Sequence, residues 1–175
     1  FAPVTPTEEE RAELDQWAAI ERLLPVAAGI TAHQAVDIER LLLYGVSGIK
    51  ELIEGYRREL DVARPEDLEK DAFYRACLIA LDGLVALARR YAERAVGMAE
   101  AEEDPARRAE LLEIATVCRT VPEYPATTFR EALQAAHFLT FALCAGQRML
   151  LFQLGRPDRY LLPFYRRDIA AGRIT

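Results

Sequence analysis

The chain has 175 residues and a mass of 19.7 kDa; 51% of its residues are hydrophobic, its net charge is −6 and its pI is about 5.1. That much apolar material excludes a disordered chain and is enough for a core. The acidic balance disfavours nucleic acid as a partner, because neutralising phosphates needs clustered Lys and Arg, and here the arginines are interleaved with glutamates.

Phe1 to Pro6 is a loose leader, and Thr7 with Glu10 makes a capping box that predicts a helix to about Leu24, before Pro25. A breaker region with Gly29 and Thr31 follows. From His33 to Leu60 the apolar positions Ile38, Leu41, Leu42 and then Ile49, Leu52, Ile53, Tyr56 mark two helices. Gly45 and Gly48 lie between them and predict a tight corner or a close approach.

Pro65 opens the longest predicted helix, to about Glu103, with Glu66, Asp67 and Glu69 at its positive end. Leu68, Phe73, Ala76, Cys77, Ala80, Leu84, Ala88, Tyr91, Ala95 and Met98 trace its apolar face. Asp104-Pro105 reads as the cap and first residue of the next helix, which ends before Pro122.

The last third is the most specific stretch. Thr128 and Glu131 form a capping box, and the helix they open is apolar on both sides up to Gly146. A helix apolar all round is buried, and Gln134 and His137 make this one too short and too polar for a comfortable membrane span. Burial between protein layers is therefore expected, with His137 a satisfied core histidine. The run Met149 to Leu154 has the composition of a strand. A Gly155-Arg156-Pro157-Asp158 turn and a short helix stopping on Gly172 close the chain. The fold class expected is all-α or nearly so.

The three cysteines, Cys77, Cys118 and Cys144, each sit in an apolar helical pattern without a C-x-x-C pair. This argues against a disulfide framework or a zinc site, favours a buried structural role for each, and makes a reducing cytoplasm the default. No signal peptide or transmembrane run is visible. Phe1 in place of Met, and Thr175 just after a helix stop, read as ends cut from a longer protein.

The order P-A-T-T-F-R-E-A-L-Q, an apolar helix, then G-R-P-D-R-Y-L-L-P-F-Y-R-R-D-I-A-A-G-R-I-T resembles the glycyl radical enzymes, the pyruvate formate-lyase-like proteins. That family includes diol dehydratases, choline lyase and arylalkylsuccinate synthases. Arg159 stands where Gln is usual and Phe164 where Tyr is usual. His33, Asp37, Glu39, Leu42, Gly45, Gly48 and Ile49 also fall on a family-like pattern, with Ile38 replacing an aromatic and Ala32 a glycine. The resemblance covers roughly His33 to Thr175. It implies that residues 1–175 are one helical segment of an α/β ten-stranded barrel enzyme, with 1–32 a leader helix and loop and 33–175 the family-like core.

The resemblance further implies anaerobic radical chemistry on a small organic substrate. A glycyl radical near the C-terminus takes hydrogen from a loop cysteine, and the thiyl radical attacks substrate. A radical S-adenosylmethionine activating enzyme installs the radical, no cofactor is bound directly, and the parent is expected as a homodimer. The family's glycine motif, similar to R-V-A-G-Y, does not occur in these residues, and the three cysteines precede the expected active-site loop. No catalytic residue and no metal ligand is expected within the segment.

His33 falls where some diol-processing members place a substrate-contacting histidine; the alternative is that it caps the helix starting near Asp37. Leu150 and Leu151 stand where glycerol and propanediol dehydratases carry G-H-S against the diol. Two leucines cannot orient a hydroxyl, and buried polar groups without partners are costly, so an apolar or aromatic substrate, or a plain buried strand, fits better. Gly155, Arg156 and Asp158 are taken as a structural turn, with Arg156 and Asp158 paired. The alternative to a radical enzyme is a stand-alone helical binding or assembly module derived from one.

Overall fold

The computed structural model describes residues 7–8, 11–13, 15–16, 34–147 and 152–175. The chain divides into two compact units, Phe1–Thr31 and Ala32–Thr175. In the first, residues 8, 11–13 and 15–16 are helical, and the Arg11 amide donates to the Thr7 carbonyl at 2.9 Å. The rest of the helix predicted to Leu24 lies outside the described residues.

The second unit runs β1 (Gln34–Ala35), α1 (Ile38–Arg58), α2 (Pro65–Ala101), α3 (Pro105–Thr120), α4 (Phe129–Gln147), β2 (Phe152–Gln153), α5 (Pro157–Tyr160) and α6 (Leu162–Ala170). It is nearly all helical, as the periodicity predicts. The helix starts follow local chemistry. Asp37 caps α1 by accepting from the Arg40 amide at 3.0 Å. Asp104 caps α3 by accepting from Ala106 and Arg107. Pro65 and Pro105 occupy first-turn positions, where a missing N–H costs nothing.

The predicted corner is a kink inside α1. Gly45 has φ 63° and ψ 175°, outside helical geometry, so the helix stops and restarts there. Stopping exposes backbone groups that must find partners, and the segment following α3 supplies them. Val46 and Ser47 donate to the carbonyls of Pro122 and Glu123 at 2.8 and 2.9 Å, and the Leu42 carbonyl accepts from Ala126 at 3.0 Å. A Cβ on Gly45 would lie 2.5 Å from the Tyr124 carbonyl carbon, so only glycine admits this approach.

Helices α2 and α3 form an antiparallel hairpin across the three residues 102–104. Leu84, Val85, Ala88, Ala92, Ala95 and Ala99 make the buried stripe of α2, and the alanines let α3 approach with Leu111 and Ala115. Before Leu84 the apolar face traced from the sequence is largely open, with Leu68 57% and Phe73 65% exposed. Periodicity shows that a face is apolar; it does not show what covers it.

Two apolar clusters hold the layers together. One joins Leu41 and Val46 to Leu84, Val85, Cys118 and Phe138. The other joins Ile38 and Leu42 to Val121, Ala132, Ala135 and Phe164. Helix α4 contributes to both, but it is not buried all round as expected. Leu133 is 44% and Phe141 39% exposed, and His137 and Cys144 are exposed as well. Among the described residues only one side of α4 meets neighbours, which corrects the reading of His137 as a core histidine. Of the cysteines, Cys118 is buried, Cys77 is half-buried and Cys144 is exposed, so the structural role expected for all three holds in burial only for Cys118. Burial pushes the Cys118 thiol up from its ordinary value.

Candidate functional site

Among the described residues, the strand pair is where distant parts of the chain meet edge to edge. β1 and β2 are parallel, with Gln34 opposite Phe152 and Ala35 opposite Gln153. Strand character was expected over Met149–Leu154; the strand is described at 152–153, and its partner β1 was not anticipated. Two residues are too few to leave an alternating pattern.

The candidate substrate residues His33, Leu150 and Leu151 lie outside the described residues. Their sequence neighbours do not: Gln34 follows His33, Phe152 follows Leu151, and those two face each other in the pair. The cap of α1 is Asp37, so the helix start has its acceptor without His33.

Below β2 the chain turns at Gly155, which is exposed with φ 68°. Arg156 donates through Nε and a terminal nitrogen to the two oxygens of Asp158, at 2.8 and 2.6 Å. The guanidinium holds the Asp158 carboxyl below the usual carboxylate range, chiefly through these bonds. The Tyr160 hydroxyl donates back to the Leu154 carbonyl at 3.0 Å. Gly155, Arg156 and Asp158 thus make one self-paired turn.

The entry to α4 is tied more tightly than its capping box alone implies. The Glu131 amide donates to the Thr128 hydroxyl at 3.1 Å, and a Glu131 carboxylate oxygen accepts from the Thr127 and Thr128 amides. In addition the Phe129 amide donates to Asp168 at 2.9 Å. Asp168 is 3% exposed, and Arg173 forks onto its other oxygen at 3.0 and 2.7 Å. That hydrogen-bonded guanidinium is the main reason its carboxyl is held below the usual range. Local sequence reasoning missed Asp168; a carboxylate on the apolar side of a short helix was the available signal.

A cavity of about 390 Å³ lies between α2, α3 and α4, lined by Tyr91, Met98, Ile114, His137, Phe138 and Phe141 among others. The His137 ring stacks on Phe141, and Tyr91 meets Phe138 at a tilt and Phe141 edge-on. Among the described residues no group of His, Cys, Asp and Glu is arranged to hold a metal ion. None of the described helices is long and apolar enough to cross a membrane.

This arrangement is that of a helical portion of a glycyl radical enzyme. The hydroxyproline dehydratase from Clostridioides difficile, solved with trans-4-hydroxy-L-proline bound, superposes with a TM-score of 0.78 at 27% identity, over 96% of this chain and 24% of its own. A glycyl radical enzyme from Archaeoglobus fulgidus superposes with a TM-score of 0.75 at 34% identity, over 94% of this chain and 22% of its own.

A family profile described as Pyruvate formate lyase-like matches residues 10–175, and the chain belongs to that family. The isethionate sulfite-lyase of Oleidesulfovibrio alaskensis is 41% identical over 141 residues, which is 79% of this chain and 17% of that enzyme. The trans-4-hydroxy-L-proline dehydratase of Clostridioides difficile is 38% identical over 130 residues, 73% of this chain and 16% of that enzyme. The chain therefore spans about a sixth of the curated relatives it matches, and those relatives are lyases and dehydratases.

Proposed function

We propose that these residues are the N-terminal helical portion of an anaerobic glycyl radical enzyme acting on a small organic substrate in the cytoplasm, and that the segment by itself has no turnover. The observation that carries this is the match of nearly the whole chain to a small, fixed share of lyases and dehydratases. The radical glycine and the cysteine that receives its radical belong, in this reading, to parts of the parent outside residues 1–175. Two facts support that assignment: no R-V-A-G-Y-like string occurs here, and Cys77, Cys118 and Cys144 all lie on helices. The glycyl radical, installed by a radical S-adenosylmethionine activating enzyme, supplies the hydrogen-abstracting power. No residue described here conducts it.

What this chain supplies is a wall. Gln34 and Phe152 pair beside the sequence positions of His33 and Leu151, which supports a shared rim for the three candidate residues. Of these candidates the His33 side chain can hydrogen-bond a polar group, while the side chains of Leu150 and Leu151 cannot. A substrate with an apolar or aromatic body suits such a rim better than a small diol, because a buried hydroxyl without a partner is costly. The parent works as a homodimer in this reading.

The test is to express the full reading frame that contains this segment, activate it anaerobically with its activating enzyme, and record the electron paramagnetic resonance spectrum. A glycyl radical signal, lost when the C-terminal motif glycine is changed to Ala, is the expected result. A stop codon soon after Thr175, or a full chain that never develops the signal, would sink the proposal and leave the stand-alone helical module in its place.

A further inference from the structure

The segment from β2 to the end of α6 is tied within itself. The Tyr160 hydroxyl holds the Leu154 carbonyl, Arg156 holds Asp158, and α5 passes into α6 through Leu161 alone. Phe164 seats this body in the cluster that contains Ile38 and Leu42. Apolar contact fixes burial but has no direction, so Phe164 by itself leaves the body free to rotate and slide by small amounts. Directional bonds are made at its far end. Gly172 has φ 66°, and it and Arg173 close α6 by donating to the carbonyls of Ile169 and Asp168, a Schellman ending. The Asp168 carboxylate then accepts from the Phe129 amide at the N-terminus of α4 and from the Arg173 fork. Arg167 adds a bond to the Thr127 carbonyl at 2.9 Å. A carboxylate against the first turn of a helix is favoured by the amides exposed there.

We propose that Asp168 is a positioning residue: by fixing the end of α6 to the start of α4, it sets the register of β2 against β1. The two strands hang from the same cluster, β1 through Ile38 and β2 through Phe164. Their two-residue pairing is too short to specify its own register, since two residues give too little alternation to make a slip by itself costly. The register therefore follows from where the β2–α6 body is pinned, and Asp168 is the buried group that pins it. Its importance for substrate rests on the reading of this strand pair as the substrate rim; the mechanical claim does not.

The test is hydrogen exchange followed by mass spectrometry on the full parent polypeptide in its unactivated form, comparing wild type with Asp168→Asn, Asp168→Ala and the milder Arg173→Lys. The expected result is an exchange rate at least ten-fold faster in peptides covering 34–37 and 152–160 for Asp168→Ala, on the order of 1.4 kcal/mol of local protection. A smaller increase is expected for Asp168→Asn, which keeps an acceptor for Phe129. Peptides from α2 and α3 should be speeded far less than those at the strand pair in every variant. Unchanged exchange at the strand pair overturns the proposal. So does an equal speeding of every peptide, because that is general destabilisation; if Asp168→Ala does not fold, Arg173→Lys decides by the same two criteria. Loss of protection in a polypeptide that never forms a glycyl radical would uphold the pin and remove only the substrate reading.

Discussion

Gly45 is the described glycine at which a side chain would meet the closest contacts. Its φ of 63° lies in the left-handed region, and a Cβ there would sit 2.5–2.7 Å from backbone atoms of Glu123 and Tyr124. Those atoms belong to a segment already bonded to Val46, Ser47 and Leu42, so it cannot withdraw without breaking three hydrogen bonds. With ψ at 175°, Gly45 sits in the extended positive-φ region that essentially only glycine adopts, at a cost of about 1–3 kcal/mol for alanine, and a clash with fixed backbone adds to it. Gly45→Ala should therefore lose at least about 3 kcal/mol, within the range reserved for strain and core disruption. Gly97→Ala is the matched control: Gly97 lies inside α2 with nothing within 4 Å of its would-be Cβ. There the change should gain roughly 0.5–1 kcal/mol from helix propensity. Urea denaturation of the three proteins reads both effects. Equal midpoints for wild type and Gly45→Ala would show that the corner relaxes freely, contrary to this account.

At the scale of elements, the junctions between helices are held by carboxylates that paired cations keep charged against the cost of burial. Asp71 on α2 meets Arg57 at the end of α1 at 2.8 Å and Arg75 at 2.7 Å. Asp67 meets Lys70 at 2.7 Å and accepts from the Asp61 amide. Asp168 joins α6 to α4. All three carboxyls are held below the usual range, chiefly by the hydrogen-bonded Arg57, Lys70 and Arg173 respectively. A carboxyl depressed in the folded state stabilises it fully above its unfolded value, about 3.9, and that contribution is lost as pH falls through the lower folded value. The urea midpoint should therefore hold steady from pH 7 to about 5 and fall below about pH 4. Asp168→Asn should lower the midpoint at pH 7 and flatten the acid limb, since one depressed group is gone. An acid limb as steep in the variant as in the wild type would mean that Asp168 takes no part in it. These junctions also mark where the sequence stops being readable. Asp104-Pro105, Pro65 and the Thr128–Glu131 box could be read because a cap and its target lie within four residues. Asp168 and Phe129 are 39 positions apart, and β1 and β2 more than a hundred, so no periodicity connects them. The candidates His33, Leu150 and Leu151 were drawn from a family pattern and lie outside the described residues, whereas the strand pairing next to them in sequence depends on that long-range geometry.

The second unit as a whole leaves large apolar side chains on several of its helices open to solvent. Leu68, Phe73 and Ile79 line the first half of α2, and Leu133, Phe141 and Leu154 continue the exposure on α4 and beyond β2. Scattered apolar residues on a surface are normal, but contiguous patches drive association. Leu68 and Ile79 share one side of α2, whereas Phe73 projects from another, so the exposure spreads around the first half of the helix. Polypeptide 1–175 produced alone is thus expected to self-associate as concentration rises, in line with its covering only a sixth of its relatives. Light scattering coupled to size-exclusion chromatography, over roughly a hundred-fold range of concentration, measures this directly. Phe73→Ser with Ile79→Ser should shift the protein toward monomer without lowering its unfolding midpoint, because both side chains are open to solvent and support no buried contact. A wild-type chain that stays monomeric throughout and melts in one cooperative step would show that these faces are stable in water. The helical segment would then be a module that stands by itself, and the proposal that it is a wall of a larger enzyme would lose its physical support.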